Sequence, residues 1–466
     1  MNAPLPVFLT AYDPAELPGG TVDPLGFTAG YLALADLLFP GMTAAAAQAT
    51  YLPMLCAGLT IAQAEGGLGA LSATAARKRR IDVALRFERL WALAAALQGP
   101  TQSPDDEAEA TPPGESKTAG LRGITYVARQ AERLTQAGAK ETASEFALLA
   151  QQYRYGAFGI YGGVAEQLRL LEKSTFAPTP GFGDTIGQGF LNTTTESGQP
   201  KELIRACLDA TGTVRLSTLK AWGAKAHPGA PLTGAAQKLL SEAAFQNVER
   251  ARTLELVERV ARKRAADDGT GSLFEACAEQ ATEREGAELC VALHAALAYD
   301  NFLRNFTLIF ERTLWLCRKR SDAEQSAEVF RNDVIIEACG TLGERAAALL
   351  AASERLFSLG KGELRQRGRG ILDIARLAHS TTDVPSLVRL VLKRHAEIQR
   401  GKFDQGRPKQ AWIEECCSEF VLTSSRIGIR SGEPTAPEDV RGPDWRFGSA
   451  VSLLTVTGRL TPKAAP

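Results

Sequence analysis

Two stretches of this chain carry residues able to bind phosphate. Between Lys361 and Lys409, twelve lysines and arginines stand against five carboxylates, in a chain whose 53 basic and 53 acidic residues otherwise cancel. A surplus of that sign attracts polyphosphate, because each neutralised phosphate releases a condensed counterion. The residues expected to contact nucleic acid are Arg365, Arg367, Arg369, Lys393, Arg394, Arg400, Lys402, Arg407 and Lys409. DNA is the favoured ligand, and a solvated face is the alternative. The second stretch, "GFGDTIGQGF" from Gly181 to Phe190, has the glycine density of a phosphate loop. It has no lysine to reach terminal phosphates. Gly181, Gly183 and Gly187 miss the dinucleotide spacing by one residue, and prolines rather than a buried strand precede them. These glycines therefore read as backbone geometry and close packing.

Other chemistry finds less support. The chain holds 4 histidines, and no H-E-x-x-H, nucleophile-elbow or kinase motif. Cys290 and His294 lie one helical turn apart, a spacing that can bind metal. No second local pair completes a tetrahedral set, and "ELCVALHAALA" reads as a core helix with a core histidine. His395 and Glu397 with Cys416 and Cys417 lack the P-C-x-x-C half of a zinc-deaminase site. No catalytic, cofactor or metal residue is assigned, no cofactor is expected, and a non-enzymatic protein is favoured. A nuclease with an unrecognised carboxylate site is one alternative; a structural helical adaptor is another.

The elements that must position these residues read as mainly α-helical, with a small mixed α/β C-terminal domain. Ile81–Leu97 carries Val83, Phe87, Leu90, Trp91 and Leu93 at helical spacing. Helices are also expected over 124–134, 142–155, from Thr233 or Ser241 to about Arg264, and over 273–320, 322–338, 341–358, 364–379 and 385–400. "AWIEE", "EFVLTS", "RIGIR" and "VSLLTVTG" read as short strands near the C-terminus. "GPTQSPDDEAEATPPGESKTAG", residues 99–120, has no apolar period and reads as a linker. The expected segments are 1–98, 99–120, 121–195, 196–360 and 361–466. The 8 cysteines are scattered among alanine and leucine, as buried small hydrophobes in a reducing compartment would be. The opening residues lack the charge pattern of a signal peptide. Ala44–Ala64 is uncharged, but its alanine, glutamine and proline content reads as a buried helix and not a membrane span. A cytoplasmic protein with protein partners and no membrane contact is expected.

Three resemblances add to this reading. "YGGVAEQLRLLEKSTFAPTPGFGDTIGQGFL" resembles the end of a winged-helix unit, where a helix leads into a short hairpin and a Thr-Pro turn opens the next helix. That implies a winged-helix-like binding segment within 121–195. "QGRPK", Gln405–Lys409, resembles the Gly-Arg-Pro core of minor-groove hooks, in which arginine enters the groove while proline holds the backbone extended. "DPLGF", "FPGMT" and "YLPMLC", with "YGGVAEQLRLLEKSTFAPTP" and "RHAEIQRGKFDQGRPKQAW", resemble an uncharacterised group of prokaryotic proteins, some encoded near DNA-modification or phage-defence genes. That resemblance implies a recognition or helper subunit and supplies no catalytic residues.

Overall fold

Capping residues and apolar stripes translate into helices along most of the chain. The computed structural model describes residues 23–461, apart from 66–67, 99–120, 193–200, 229, 231, 267–270, 283–285, 320–324, 405–406, 417–418, 424–432, 441 and 444. The expected linker over 99–120, the opening residues 1–22 and the "RIGIR" strand lie outside the described residues.

The first half contains α1 (Thr28–Leu38), α2 (Tyr51–Gln63), α3 (Ala73–Ala96), α4 (Ile124–Gln136), β1 (Glu141–Ala143), α5 (Gln152–Tyr155), α6 (Ala157–Gln167) and α7 (Gly183–Asn192). Next come α8 (Lys201–Leu208), β2 (Thr213–Arg215), α9 (Leu216–Gly223), α10 (Gly234–Phe245), α11 (Val248–Ala266) and α12 (Leu273–Gln280). The remainder is α13 (Ala287–Lys319), α14 (Gln325–Arg331), α15 (Asp333–Ser358), α16 (Glu363–Arg367), α17 (Arg369–Ser380), α18 (Val384–Arg400), β3 (Phe403–Asp404), β4 (Arg407–Pro408), β5 (Ile413–Cys416), β6 (Glu419–Leu422) and α19 (Phe447–Val456). The fold is mainly helical, with small antiparallel strand pairs β1–β2, β3–β4 and β5–β6. No helix among the described residues is long and apolar enough to cross a membrane. The uncharged stretch around α2 forms a 13-residue helix whose residues from Tyr51 to Ala62 are buried.

The chain divides into two units, Met1–Leu38 with Cys277–Trp445, and Phe39–Ala276 with Arg446–Pro466. This grouping cuts the chain elsewhere than the five segments expected from composition. In the first unit the 33-residue α13 packs along α15 and α1. Phe27 meets Phe306 edge-on, with ring centroids 5.5 Å apart. Asn305 donates from Nδ2 to the Ala338 carbonyl at 3.1 Å, tying α13 to α15. Asn332 starts α15 by accepting from the Ile335 amide, and Asp383 starts α18 by accepting from Ser386 at 2.8 Å.

In the second unit α2 lies against α3, α6 and α7. Tyr51 stacks on Tyr161 at 4.7 Å and meets Trp91 edge-on at 4.9 Å. The glycine-rich stretch sits where α6 leads toward α7. Leu171 and Pro178 form one antiparallel bridge. The Thr179 hydroxyl then accepts from the Gly183 amide at 3.1 Å, opening α7. Gly183 and Gly187 are close-approach positions. A Cβ on Gly183 would fall 1.9 Å from the Leu170 carbonyl oxygen, and one on Gly187 would fall 2.7 Å from the Cys56 carbonyl oxygen. Gly187 lets α7 settle onto α2, and Gly183 lets its first turn approach the Leu170 carbonyl, as the packing reading expects. No ligand contact is required to explain them.

Several local expectations are corrected. The helix expected over 273–320 is divided into α12 and α13, and the one over 322–338 is divided where Asn332 caps α15. "VSLLTVTG" is not a strand but part of α19. The helix is buried nearly all round, so its sequence carries no one-sided stripe, and β-branched residues are tolerated because packing outweighs propensity. Thr455 and Thr457 donate back to the Val451 and Leu453 carbonyls, both at 2.9 Å. Residues 142–155 are mostly not helical. Glu141–Ala143 pair with Thr213–Arg215, and the Ser144 hydroxyl donates to the Ala206 carbonyl at 3.0 Å. The helix expected to run to about Arg264 is interrupted, because Asn247 accepts from the Arg250 amide at 2.8 Å and opens α11 anew. The Arg250 guanidinium is buried and donates to the Ala243, Ala244 and Pro40 carbonyls, closing the end of α10.

Candidate nucleic-acid interface

The basic stretch folds as α16, α17, α18 and the β3–β4 pair, all within the first unit. α18 is amphipathic. Leu387, Val388, Val391, Leu392, His395 and Gln399 are buried, while Arg389, Lys393, Glu397 and Arg400 are exposed along one stripe.

The cations separate into three groups. Some are held by carboxylates. Lys361 pairs with Glu288 at 3.3 Å, Arg365 with Glu354, Arg367 with Asp36 at 2.7 Å, Arg376 with Asp373 at 2.6 Å, and Arg389 with Glu415 at 3.0 Å. Arg365 also lies over the Phe357 ring. Glu288, Glu354, Asp36 and Glu415 lie outside the interval whose charge was counted, so the apparent local surplus is partly neutralised in space.

A second group is committed to backbone. Arg394 Nε donates to the Leu25 carbonyl at 3.0 Å, and Lys402 Nζ donates to the Asp23 carbonyl at 2.6 Å. Burial lowers both their pKa values. Between these cations, His395 Nε2 accepts from the Trp412 amide at 2.9 Å, and its Nδ1 faces the Pro24 carbonyl at 3.0 Å. A carbonyl can only accept, so Nδ1 carries the proton and the ring is neutral. Burial pushes the His395 pKa down to about 4. Both ring nitrogens are engaged, which leaves neither for a metal or for proton transfer.

These contacts all converge on the "DPLGF" turn. The Asp23 carboxylate accepts from the Phe27 and Thr28 amides at 2.7 and 2.8 Å, opening α1. Asp23 has φ 56° and Gly26 has φ 75°, which turns the backbone sharply here. The carbonyls of the turn need partners. Lys402 donates to Asp23, His395 to Pro24, and Arg394 to Leu25 and Gly26. Two sequence motifs almost 370 residues apart therefore form one structural joint.

The third group is Arg369, Lys393, Arg400, Arg407 and Lys409, none of which pairs with a described carboxylate. Arg369, Lys393, Arg400 and Arg407 are exposed and Lys409 is half-buried. Arg400 Nε turns back to the Ala396 carbonyl at 3.3 Å. Of the nine residues expected from the sequence, these five have no described carboxylate partner, while Arg394 and Lys402 serve the turn, and Arg365 and Arg367 serve ion pairs.

Sequence reasoning missed the buried carboxylates, of which Glu88 in the second unit is the most deeply buried. It accepts from the Ala157 amide at 2.7 Å and from Gln152 Nε2 at 2.8 Å, anchoring the start of α6. Burial pushes its pKa up to about 7, against the lowering effect of those hydrogen bonds and of Arg122 and Arg89. Glu88 lies three residues before Trp91 on the buried stripe of α3, which was the available signal. Cys290 Sγ lies 3.6 Å from His294 Nδ1, and His294 is exposed rather than the core histidine expected. Among the described residues no three His, Cys, Asp or Glu side chains gather as a metal site. Burial pushes the thiols of Cys56, Cys317 and Cys339 up to about 12, well away from reactive thiolates. Compared with protein-family models, curated proteins and solved structures, the chain finds no match.

Proposed function

We propose that this chain is a non-enzymatic binding subunit that contacts nucleic acid, DNA in preference, through the exposed cations of α17, α18 and the β3–β4 pair. One observation carries the reading: Arg369, Lys393, Arg400, Arg407 and Lys409 remain without a described carboxylate partner, although other cations of the same stretch are paired. Unpaired surface cations retain the counterion-release term that paired ones have already given up.

The "DPLGF" and "RHAEIQRGKFDQGRPKQAW" motifs support a place in a prokaryotic DNA-handling or phage-defence complex, in the cytoplasm, alongside protein partners. The α6–bridge–α7 order at 157–192 is compatible with a winged-helix-like element serving the same assembly. Gel-shift titration across salt tests the reading. Five phosphate contacts give a slope of log affinity against log salt of up to about −4.5 on duplex DNA. Removing both Lys393 and Arg400 lowers that slope by about two units. Absence of binding at low salt, or affinity that ignores salt, overturns the proposal.

A further inference from the structure

Phe403 is 66% exposed, more than any other large apolar side chain among the described residues. A single exposed ring is ordinary on a protein surface. This one has an unusual setting. It lies opposite Pro408 in the β3–β4 pair, and cross-strand partners share a face. Pro408 is exposed as well. Neighbouring residues of a strand point to opposite faces. Lys402, just before β3, donates to the Asp23 carbonyl at 2.6 Å, while the next residue, Phe403, stands exposed. The Lys409 amide donates to the Lys402 carbonyl at 2.8 Å and extends the ladder by one rung. The ring is thus carried on a short hairpin whose base is fixed to the "DPLGF" turn.

Charge decides what such a ring would meet. From Lys393 to Lys409 the chain carries six cations and two carboxylates. Arg400 precedes the ring, Arg407 lies on the returning strand, and Lys409 directly follows it. An apolar protein partner would have to desolvate these cations. A single-stranded nucleic acid supplies phosphates to the cations and an unpaired base to the aromatic face, the pairing used by single-strand-binding surfaces. Duplex DNA offers the phosphates but keeps its bases stacked.

We infer that Phe403 is a base-stacking residue and that the β3–β4 hairpin selects unpaired nucleotides over duplex. The inference rests on the phosphate-binding reading of the same face and adds the form of nucleic acid it takes. The chemistry fits unpaired DNA or RNA alike, because stacking uses the face of the base and not the sugar.

Fluorescence anisotropy with labelled single-stranded and duplex oligonucleotides, at fixed salt, tests this on the full chain. F403A is expected to weaken single-strand binding about 5- to 150-fold, the loss of one base stack. Duplex affinity is expected to stay within about twofold, and F403W is expected to keep single-strand affinity, since indole stacks at least as well. Equal losses on both forms, no loss on the single strand, or failure of F403W to restore binding would each overturn the stacking role. K393Q/R400Q separates the two readings. If it weakens both nucleic-acid forms while F403A changes neither, the cationic face stands and the stack falls. If the wild-type chain binds neither form at low salt, both fall.

Discussion

Lowering the pH from 7 to 4 should loosen the first unit through His395. The ring is held neutral, donating from Nδ1 to Pro24 and accepting at Nε2 from Trp412. It packs on Phe310 and Trp412 at centroid distances of 4.6 and 5.1 Å. Desolvation is the main cause that lowers its pKa from 6.5 to about 4; nearby Lys402 lowers it further, and the Pro24 hydrogen bond opposes both. The unfolded chain therefore takes up a proton before the folded chain does. Stability contributed by this group is complete above about pH 6.5 and is lost as pH falls toward 4. The linkage integral gives a loss of about 2 kcal/mol by pH 5 and about 3 kcal/mol by pH 4. His395→Phe keeps a stacking ring but leaves the Trp412 amide and Pro24 carbonyl unpartnered, at a cost of about 2–4 kcal/mol at pH 7. Its stability lacks the His395 proton-uptake step, so the gap between wild type and variant should narrow by about 2 kcal/mol between pH 7 and 5. Two units need not unfold together. Hydrogen exchange of segments spanning 384–412, corrected for intrinsic rates, is the appropriate assay. A gap that stays constant from pH 7 to 5 would refute the neutral, doubly engaged histidine.

Three further outcomes follow from the second unit. Gly187→Ala places a Cβ 2.6 Å from Thr60 Oγ1 and 2.7 Å from the Cys56 carbonyl oxygen, and should destabilise by about 1–3 kcal/mol in thermal unfolding. Gly163→Ala, at an exposed α6 position with no atom within 4 Å of the new Cβ, should stabilise by about 0.5–1 kcal/mol in the same measurement. Glu88, with its pKa raised by burial from 4.5 to about 7, favours folding below pH 4.5 and loses about 3 kcal/mol of that contribution as pH rises through 7. Glu88→Gln should abolish this rise-dependent loss in hydrogen exchange of α3 and α6; persistence of the full pH dependence would assign it to another group.

The helical class was legible because apolar residues recur at helical spacing and because Thr179 sits where a helix opens. The cap at Asn332 was not, since 322–338 reads as one helix. Nor was α19, since a helix buried nearly all round shows no stripe. Residues 142–155 have helical spacing, but pairing to Thr213–Arg215 and the Ser144–Ala206 bond hold their first part extended. Glu88 was readable as a carboxylate on an apolar stripe, although its partners Gln152 and Ala157 lie more than 60 residues away.

Charge was the least legible quantity, for a physical reason. A count along the chain treats each lysine and arginine as equally available, whereas availability depends on partners that only the fold brings close. Asp36 reaches Arg367 across 331 positions, and the Leu25 carbonyl reaches Arg394 across 369. The distinction governs how the interface is dissected. Loss of Arg394 or Lys402 leaves carbonyls of the "DPLGF" turn without donors, so any fall in binding would accompany loosening of α1. Loss of Lys393 or Arg400 removes charge from an exposed stripe with no such consequence. Only the second kind of variant reports on binding itself. A scan that scored all nine cations alike would credit the interface with residues whose work is to hold the turn.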